Sequence, residues 1–452
     1  MLFVSAVLFF RFEKEPPKVE ISPPIKTMGA DSSFHIIVSD SKSGIKKIEV
    51  SIVTNQKTIS VLSESFPSLT LLQGSNVHLK EIDIPVKPRE LGLAEGKVRL
   101  KISAWDCALK GYYEGNHTDL EQDMIIDTRP PLITLLKKPS GVTQGGAGLL
   151  VYSSSEPIAQ SGVQIATAFF PGYPGKFKKE LIYMALFAIP YDYEPSENNR
   201  ITLTAIDDGN NKTNLSVHIH VNRMKKTSDN IVLSDDFLNH KMSEFQLETT
   251  AGKSASSLET FLVVNRDIRK QNDAIFREKC SLSKPDPLWE GVFLRLPNSA
   301  QKAGFAQART YYYGNEQIDQ QIHMGIDLAS TENAPIPAAN NGNVIFTDNL
   351  GIYGNIAIID HGLGLFSAYS HMSSFTVKQG DEVKKGDIIG HTGTTGLAGG
   401  DHLHFAMLVH GAFVTPIEWW DPMWLKNNIY DPINAFANEE QSNASAQTKD
   451  IR

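Results

Sequence analysis

A chain of 452 residues is long enough for about three domains, each burying its own core. Hydrophobic residues make up 41% and charged residues 21%, which excludes neither a folded core nor a solvated surface. The net charge of −8 argues against nucleic-acid binding, which wants a basic face, and against global attraction to an anionic polymer.

Residues 1–15 begin with the apolar run Met1 to Phe10 and turn polar at Arg11. A bilayer span needs about 20 residues, and the run lacks a positive leading region. It reads as the remaining part of a signal or N-terminal membrane anchor. The expected location is therefore the periplasm or cell envelope, with attachment to the inner membrane. Cys107 and Cys280 alone give no disulfide framework.

Residues 16–128 and 129–222 read as two related β units. Arg99-Leu-Lys-Ile-Ser-Ala-Trp-Asp-Cys107 matches Arg200-Ile-Thr-Leu-Thr-Ala-Ile-Asp-Asp208, and Pro16-Pro17 matches Pro130-Pro131 at the unit starts. Both copies alternate polar and apolar residues and break at Gly, Pro and Asn, the pattern of antiparallel sandwiches. They resemble bacterial immunoglobulin-like domains. Such units serve as spacers, or as a surface for an envelope protein partner or the wall itself.

Residues 223–288 change to a helical connector. Ser256-Ser-Leu-Glu259 has the form of a capping box with Ser256 as N-cap, and Pro285 and Pro287 limit the helix. A shorter helix is expected within Ser234–Phe245. Residues 289–438 form the last domain, in which Trp419, Trp420 and Trp424 are expected to pack in the core rather than stack on sugars. The polar stretch 439–452 reads as a disordered tail. The paired turns Val377-Lys-Gln-Gly-Asp381 and Val383-Lys-Lys-Gly-Asp387 also suit a biotinyl or lipoyl carrier, but no Lys sits at a hairpin tip in the required setting.

The chemistry concentrates in the last domain. His323-Met-Gly-Ile-Asp327 supplies an imidazole and a carboxylate, His402-Leu-His404 supplies two further imidazoles, and Tyr369-Ser-His371 lies between them. Nitrogen, carboxylate and nitrogen make a three-ligand set for a catalytic Zn2+ with one position open to water. Residues two apart on a strand share a face, so His402 and His404 point the same way. His218-Ile-His220 has the same spacing but no His-x-x-x-Asp partner, and reads as a solvent-facing pair. His361 reads as fixing a turn.

Taken with Ala334-Pro-Ile-Pro-Ala338, Ile359-Asp-His-Gly362 and Gly400-Asp-His-Leu-His-Phe405, these motifs resemble the lysostaphin-type (LytM-like) zinc endopeptidases that cut peptidoglycan. The resemblance covers His323 to about Trp420. It implies a mainly β chain ending in a β-rich LytM-type groove, and one Zn2+ per chain held by His323, Asp327 and His404. It leaves His402 and His371 as the catalytic pair, with His402 as general base and the division of labour between them open. Arg309, Tyr353 and Asn355 are expected at the substrate groove. Asp401 departs from the family, which more often has Pro or Ser there. The implied function is hydrolysis of peptide cross-links, with D,D-endopeptidase preference. The alternatives are a non-catalytic regulator of a wall amidase and a wall-binding structural protein.

Overall fold

Strict alternation builds the first half of the chain. In the strand Gly96–Asp106, Val98, Leu100, Ile102 and Ala104 face inward while Arg99 and the lysines flanking it face out. The computed structural model describes residues 12–69, 73–110, 114–175, 177, 181–194, 200–245 and 256–436. The expected anchor falls largely before these residues, and the expected tail after them. Among the described residues, no helix is long and apolar enough to cross a membrane.

The chain forms two compact units. The first comprises residues 1–132, 156–159 and 205–213. Its three-stranded sheet (Lys18–Ile21, Ser32–Ser39, Leu79–Val86) and five-stranded sheet (Thr27–Met28, His117–Ile126, Gly96–Asp106, Ile45–Val53, Thr58–Ser65) share one core. Phe34, Ile36, Ile48, Val50 and Ile102 fill it without exposure.

The second unit holds the remaining residues. Two four-stranded sheets, centred on Ala147–Ser154 with Ile182–Ala188 and on Gln160–Ile165 with Ile201–Ile206, repeat the sandwich pattern. Within this unit, Ala147 donates its amide to the Glu418 carboxylate at 2.8 Å, which ties the second sandwich to the C-terminal helices.

The connector begins with a strand, Ser228–Leu233, that pairs in parallel with Gln307–Tyr313. Helices Asp235–Met242, Ser257–Val263 and Arg269–Lys279 follow. Ser256 caps the second of these in a full capping box with Glu259, as its sequence predicts. Their apolar stripes back one face of the C-terminal domain's sheet, where Leu238, Phe261, Val264 and Phe276 meet Ile352, Tyr353, Ile356 and Phe366.

That sheet runs Ala300–Ala303, Ile326–Ala329, Leu403–Val409, Leu365–Met372, Asn355–Asp360, Gly342–Asn349 and Glu382–Val383, with Ala412–Val414 paired to Leu403–Val409. Its central strands are buried on both faces, which explains why Leu403 to Val409 reads as a continuous apolar run. Trp419 is fully buried against Trp289 and Phe293, in the core-packing role expected of it.

Phe276 ties the connector to the sheet, with ring centroids 5.0 Å from Tyr353 and 5.1 Å from Phe413. Phe276→Ala is expected to destabilise the protein by about 3–5 kcal/mol, read as a lowered denaturant midpoint with unchanged slope. A loss under about 1 kcal/mol would show that the helices are not held by this contact.

Candidate metal centre

Strand pairing brings the first two residues together. Asp327 and His404 are direct cross-strand partners, so their side chains rise from the same face of the sheet. His323 ends the adjacent strand Glu316–His323, and its Nε2 lies 2.9 Å from Asp327 Oδ1 and 2.9 Å from His404 Nδ1. His404 Nδ1 also lies 2.9 Å from the same carboxylate oxygen. All three residues are buried, with exposures of 5%, 7% and 5% for His323, Asp327 and His404.

Proton positions follow from the partners on the far side. His323 Nδ1 sits 2.8 Å from the Gly304 carbonyl, which can only accept, so Nδ1 carries the proton and Nε2 of the neutral ring offers a lone pair. A carboxylate oxygen and two ring nitrogens thus crowd one point, and His404 Nε2 is buried with no partner at all. Such a triangle satisfies itself around a cation. Tetrahedral zinc with bonds of about 2.0–2.1 Å sets its ligands about 3.3 Å apart. The 2.9 Å separations need only a small outward movement.

The carboxylate is held from behind. Arg309 Nη2 donates to Asp327 Oδ2 at 2.6 Å, leaving Oδ1 for the cluster. Burial alone would raise the Asp327 pKa, but His323, with His402 and His404, holds it well below the usual carboxylate range. Gly325 fits because it lacks a side chain: a Cβ there would stand 2.5 Å from His404 Nε2 and 2.8 Å from the Phe405 carbonyl.

Two more imidazoles flank the triangle. His402 Nδ1 donates to the Gly400 carbonyl at 2.8 Å, and its Nε2 lies 3.6 Å from Asp327 Oδ1. His371 Nδ1 donates to the Thr395 carbonyl at 2.8 Å. Each neutral ring therefore presents an Nε2 lone pair. The two ring centroids are 4.8 Å apart, and His371 is 5.8 Å from His404.

Simple alternation does not account for His371. Ser370, not His371, pairs with His404. Between the pairs Asn355–Met372 and Ala357–Tyr369, Ser370 and His371 together oppose the single residue Ile356. This bulge, with His371 at φ 62°, turns the ring toward the cluster. A positive φ is strained for His, and the Thr395 bond helps hold it.

Burial keeps His371 neutral, its pKa well below the ordinary value and lowered further by His402 and His404. Burial opposes charge on His402 too, but Asp327 and the Gly400 carbonyl overcome it and raise its pKa. A cation at the triangle would weaken that pull from Asp327.

The other expected site residues are placed as follows. Arg309 bonds Asp327. Tyr353, 5% exposed, lies under His404 with ring centroids 5.6 Å apart. Asn355 is half-buried, with its amide on Thr395 Oγ1 at 2.9 Å. Asp401 accepts from the Thr392 hydroxyl and the Asn333 amide, bracing the turn before His402. His218 and His220 are exposed, and His361 bonds Asn341 and Ser367 away from the cluster. The carbonyls of Gly304, Thr395 and Gly400, which set the tautomers, carry no side-chain signal in the sequence.

This arrangement makes a candidate metal centre, buried in a β-rich domain. A family profile described as Peptidase family M23 matches residues 321–416. Over 98 residues the chain is 37% identical to the DD-carboxypeptidase/endopeptidase Mpg of Neisseria meningitidis, covering 22% of this chain and 23% of that one. It is 36% identical over 101 residues to the peptidoglycan DD-endopeptidase ShyA of Vibrio cholerae, covering 22% and 24%. With the lipoprotein NlpD of Yersinia enterocolitica it shares 38% over 94 residues, covering 21% of this chain and 96% of that sequence. The chain belongs to peptidase family M23, and membership implies a bound metal. The similarity spans less than a quarter of the length of the first two relatives.

Gly325→Ala is expected to lower metal affinity by about 10–100-fold, measured by metal analysis after dialysis; full retention would mean that the Gly325 backbone can move aside. Acid sensitivity provides a second check. Burial pushes His361, His404 and His410 each down to about 4, and His371 is lowered as well. Their stabilisation is full above the unfolded value of about 6.5 and is lost as pH falls through that window. His402, raised, acts in the opposite sense, and so does Glu418, which burial pushes up to about 8: their contributions are present at low pH and are lost as pH rises through their folded values. The four lowered groups outnumber these two, so the metal-free protein should show a lower urea midpoint at about pH 5 than at about pH 7.5. Equal midpoints would contradict the buried-neutral assignments.

Proposed function

We propose that this protein is a zinc-dependent endopeptidase that hydrolyses peptide cross-links in peptidoglycan and acts in the cell envelope. The observation that carries the reading is the triangle of His323 Nε2, Asp327 Oδ1 and His404 Nδ1, with two further imidazole lone pairs beside it. His323, Asp327 and His404 would hold the ion. When bound, zinc lowers the pKa of a water from about 15.7 to about 7 and polarises the scissile carbonyl.

His402 Nε2 takes the proton of the attacking water, because Gly400 holds its Nδ1–H and Asp327 favours its protonated form. That proton then passes to the leaving amine, restoring the neutral ring. His371, kept neutral by burial, orients the water through Nε2. Arg309 fixes the Asp327 carboxylate against rotation. Tyr353 and Asn355 support the groove wall through His404 and Thr395.

The substrate and bond preference rest on the relatives named DD-endopeptidase, which support cleavage of D-alanyl cross-links. The apolar start of the chain supports an envelope location, with attachment at the inner membrane. A second reading comes from the likeness, at 36% identity, to the murein hydrolase activator NlpD of Salmonella dublin, a protein named for activation rather than hydrolysis. The intact set of ligands and flanking histidines favours the enzyme.

Substitutions separate the two. His402→Ala should retain zinc and lose at least about 100-fold in turnover of purified peptidoglycan, whereas His404→Ala should lose both. Mass spectrometry of the released muropeptides identifies the bond. A zinc-loaded wild type that frees no new amino termini would leave the activator reading standing.

A further inference from the structure

Outside the peptidase domain, the described residues hold two clusters of oxygen ligands, one buried and one half-buried, both in the first compact unit. In one, a carboxylate oxygen each from Glu13, Asp40 and Asp106 lies within 4.8 Å of the others, and the three residues are 6%, 5% and 0% exposed. Backbone amides aim these groups: Ser43 donates to Glu13, Lys42 and Gly44 to Asp40, and Ala108 and Asn116 to Asp106.

Two acceptors remain bare. Glu13 Oε2 and Asn116 Oδ1 are fully buried and have no hydrogen-bond partner, on side chains 6% and 3% exposed. Burial, with Coulomb repulsion among these carboxylates, raises Glu13 and Asp106. Three acids left in this state in an interior are expensive unless a cation joins them.

The arrangement recurs in the second repeat. Asp127, Glu156 and Asp207 also bring ligand atoms within 4.8 Å. Asn116 donates its amide to Asp106 Oδ1 at 2.7 Å, and its Nδ2 to Asp106 Oδ2 at 2.8 Å and the Glu13 carbonyl at 3.3 Å. Asn211 repeats this on Asp207 Oδ1 at 2.9 Å, Asp207 Oδ2 at 3.0 Å and the Asp127 carbonyl at 2.7 Å. Even the adjacent hydroxyls match, with Thr118 on the Pro17 carbonyl at 2.5 Å and Thr213 on that of Pro131 at 2.6 Å.

We infer that each β repeat carries a Ca2+ site, the first built from Glu13, Asp40, Asp106 and the Asn116 carbonyl oxygen, the second from Asp127, Glu156 and Asp207 braced by Asn211. Oxygen-only ligands select a hard cation over zinc. Carboxylates and an amide carbonyl held by the protein suit the flexible, many-oxygen coordination of Ca2+, whereas Mg2+ demands near-ideal octahedral geometry and keeps several waters. Each ion ties the segment entering a repeat to the loops at one end of that repeat's strands.

The test uses the full chain stripped with a chelator. Calorimetry should find one Ca2+ per repeat, and melting temperature should rise by about 5–10 °C at a hundredfold excess over Kd. Terbium should luminesce through Trp105, next to Asp106, and calcium should quench it by competition. Glu13→Gln should abolish the first site alone and Glu156→Gln the second alone, each with unchanged circular dichroism. His404→Ala, which empties the peptidase centre, should keep both. No calcium uptake at millimolar concentration, with equal melting in calcium and chelator, would overturn the inference; so would equally tight magnesium binding.

Discussion

The cross-strand pair of Asp327 and His404 is the constraint on which the C-terminal domain depends. An antiparallel register leaves these two side chains no choice but to share a face, and the end of the neighbouring Glu316–His323 strand adds His323 to it. Two imidazole nitrogens and a carboxylate oxygen are thereby brought to 2.9 Å of one another, a donor set that a cation at their centre would satisfy. The strands that carry Asp327 and His404 lie in a sheet buried on both faces, so the scaffold holds the set in place.

Orientation comes from the backbone. Carbonyls of Gly304, Thr395 and Gly400 each take one imidazole Nδ1–H, so that three rings expose Nε2 toward the same space. The Thr395 carbonyl sits in a loop that is itself braced, since Lys241 donates to the neighbouring Thr394 carbonyl and Thr395 Oγ1 bonds Met372 and Asn355. The connector helices thus support the strained His371 as well as the core. Removing their packing would loosen the His371 ring some distance along the chain.

Much of this was legible in the sequence because period-2 patterning and ligand spacing are local properties. His402-Leu-His404 announces a shared face, Ser256 and Glu259 announce a helix start, and the recurring Ala-x-Asp strands announce a repeat. His371 shows where such reading stops. Its placement depends on a bulge opposite Ile356, a property of pairing between strands that neither strand carries alone. Arg309 was expected at the substrate groove, and strand register, not spacing, brings it to Asp327 across 18 residues. The strand Ser228–Leu233 was hidden for a related reason, since its parallel partner lies far along the chain and only Ile231 and Leu233 of its residues turn to the core.

The acidic clusters extend the same logic to a different ion. Both kinds of site hold buried acids, yet the ligand atoms differ: two imidazole nitrogens and one oxygen in the peptidase domain, oxygens alone in the first unit. Softness and coordination number therefore sort a small, nitrogen-seeking ion from a large, oxygen-seeking one within a single chain. Duplication sharpens the argument. Nine residues of sequence separate Asp106 from Asn116 and three separate Asp207 from Asn211, yet the same hydrogen bonds are rebuilt in both repeats. Loop length is free to vary where only turn geometry is at stake; acids held against one Asn side chain in each copy point to a cation in both, with the Asn116 Oδ1 open to it and the Asn211 Oδ1 taken by the Ala30 amide.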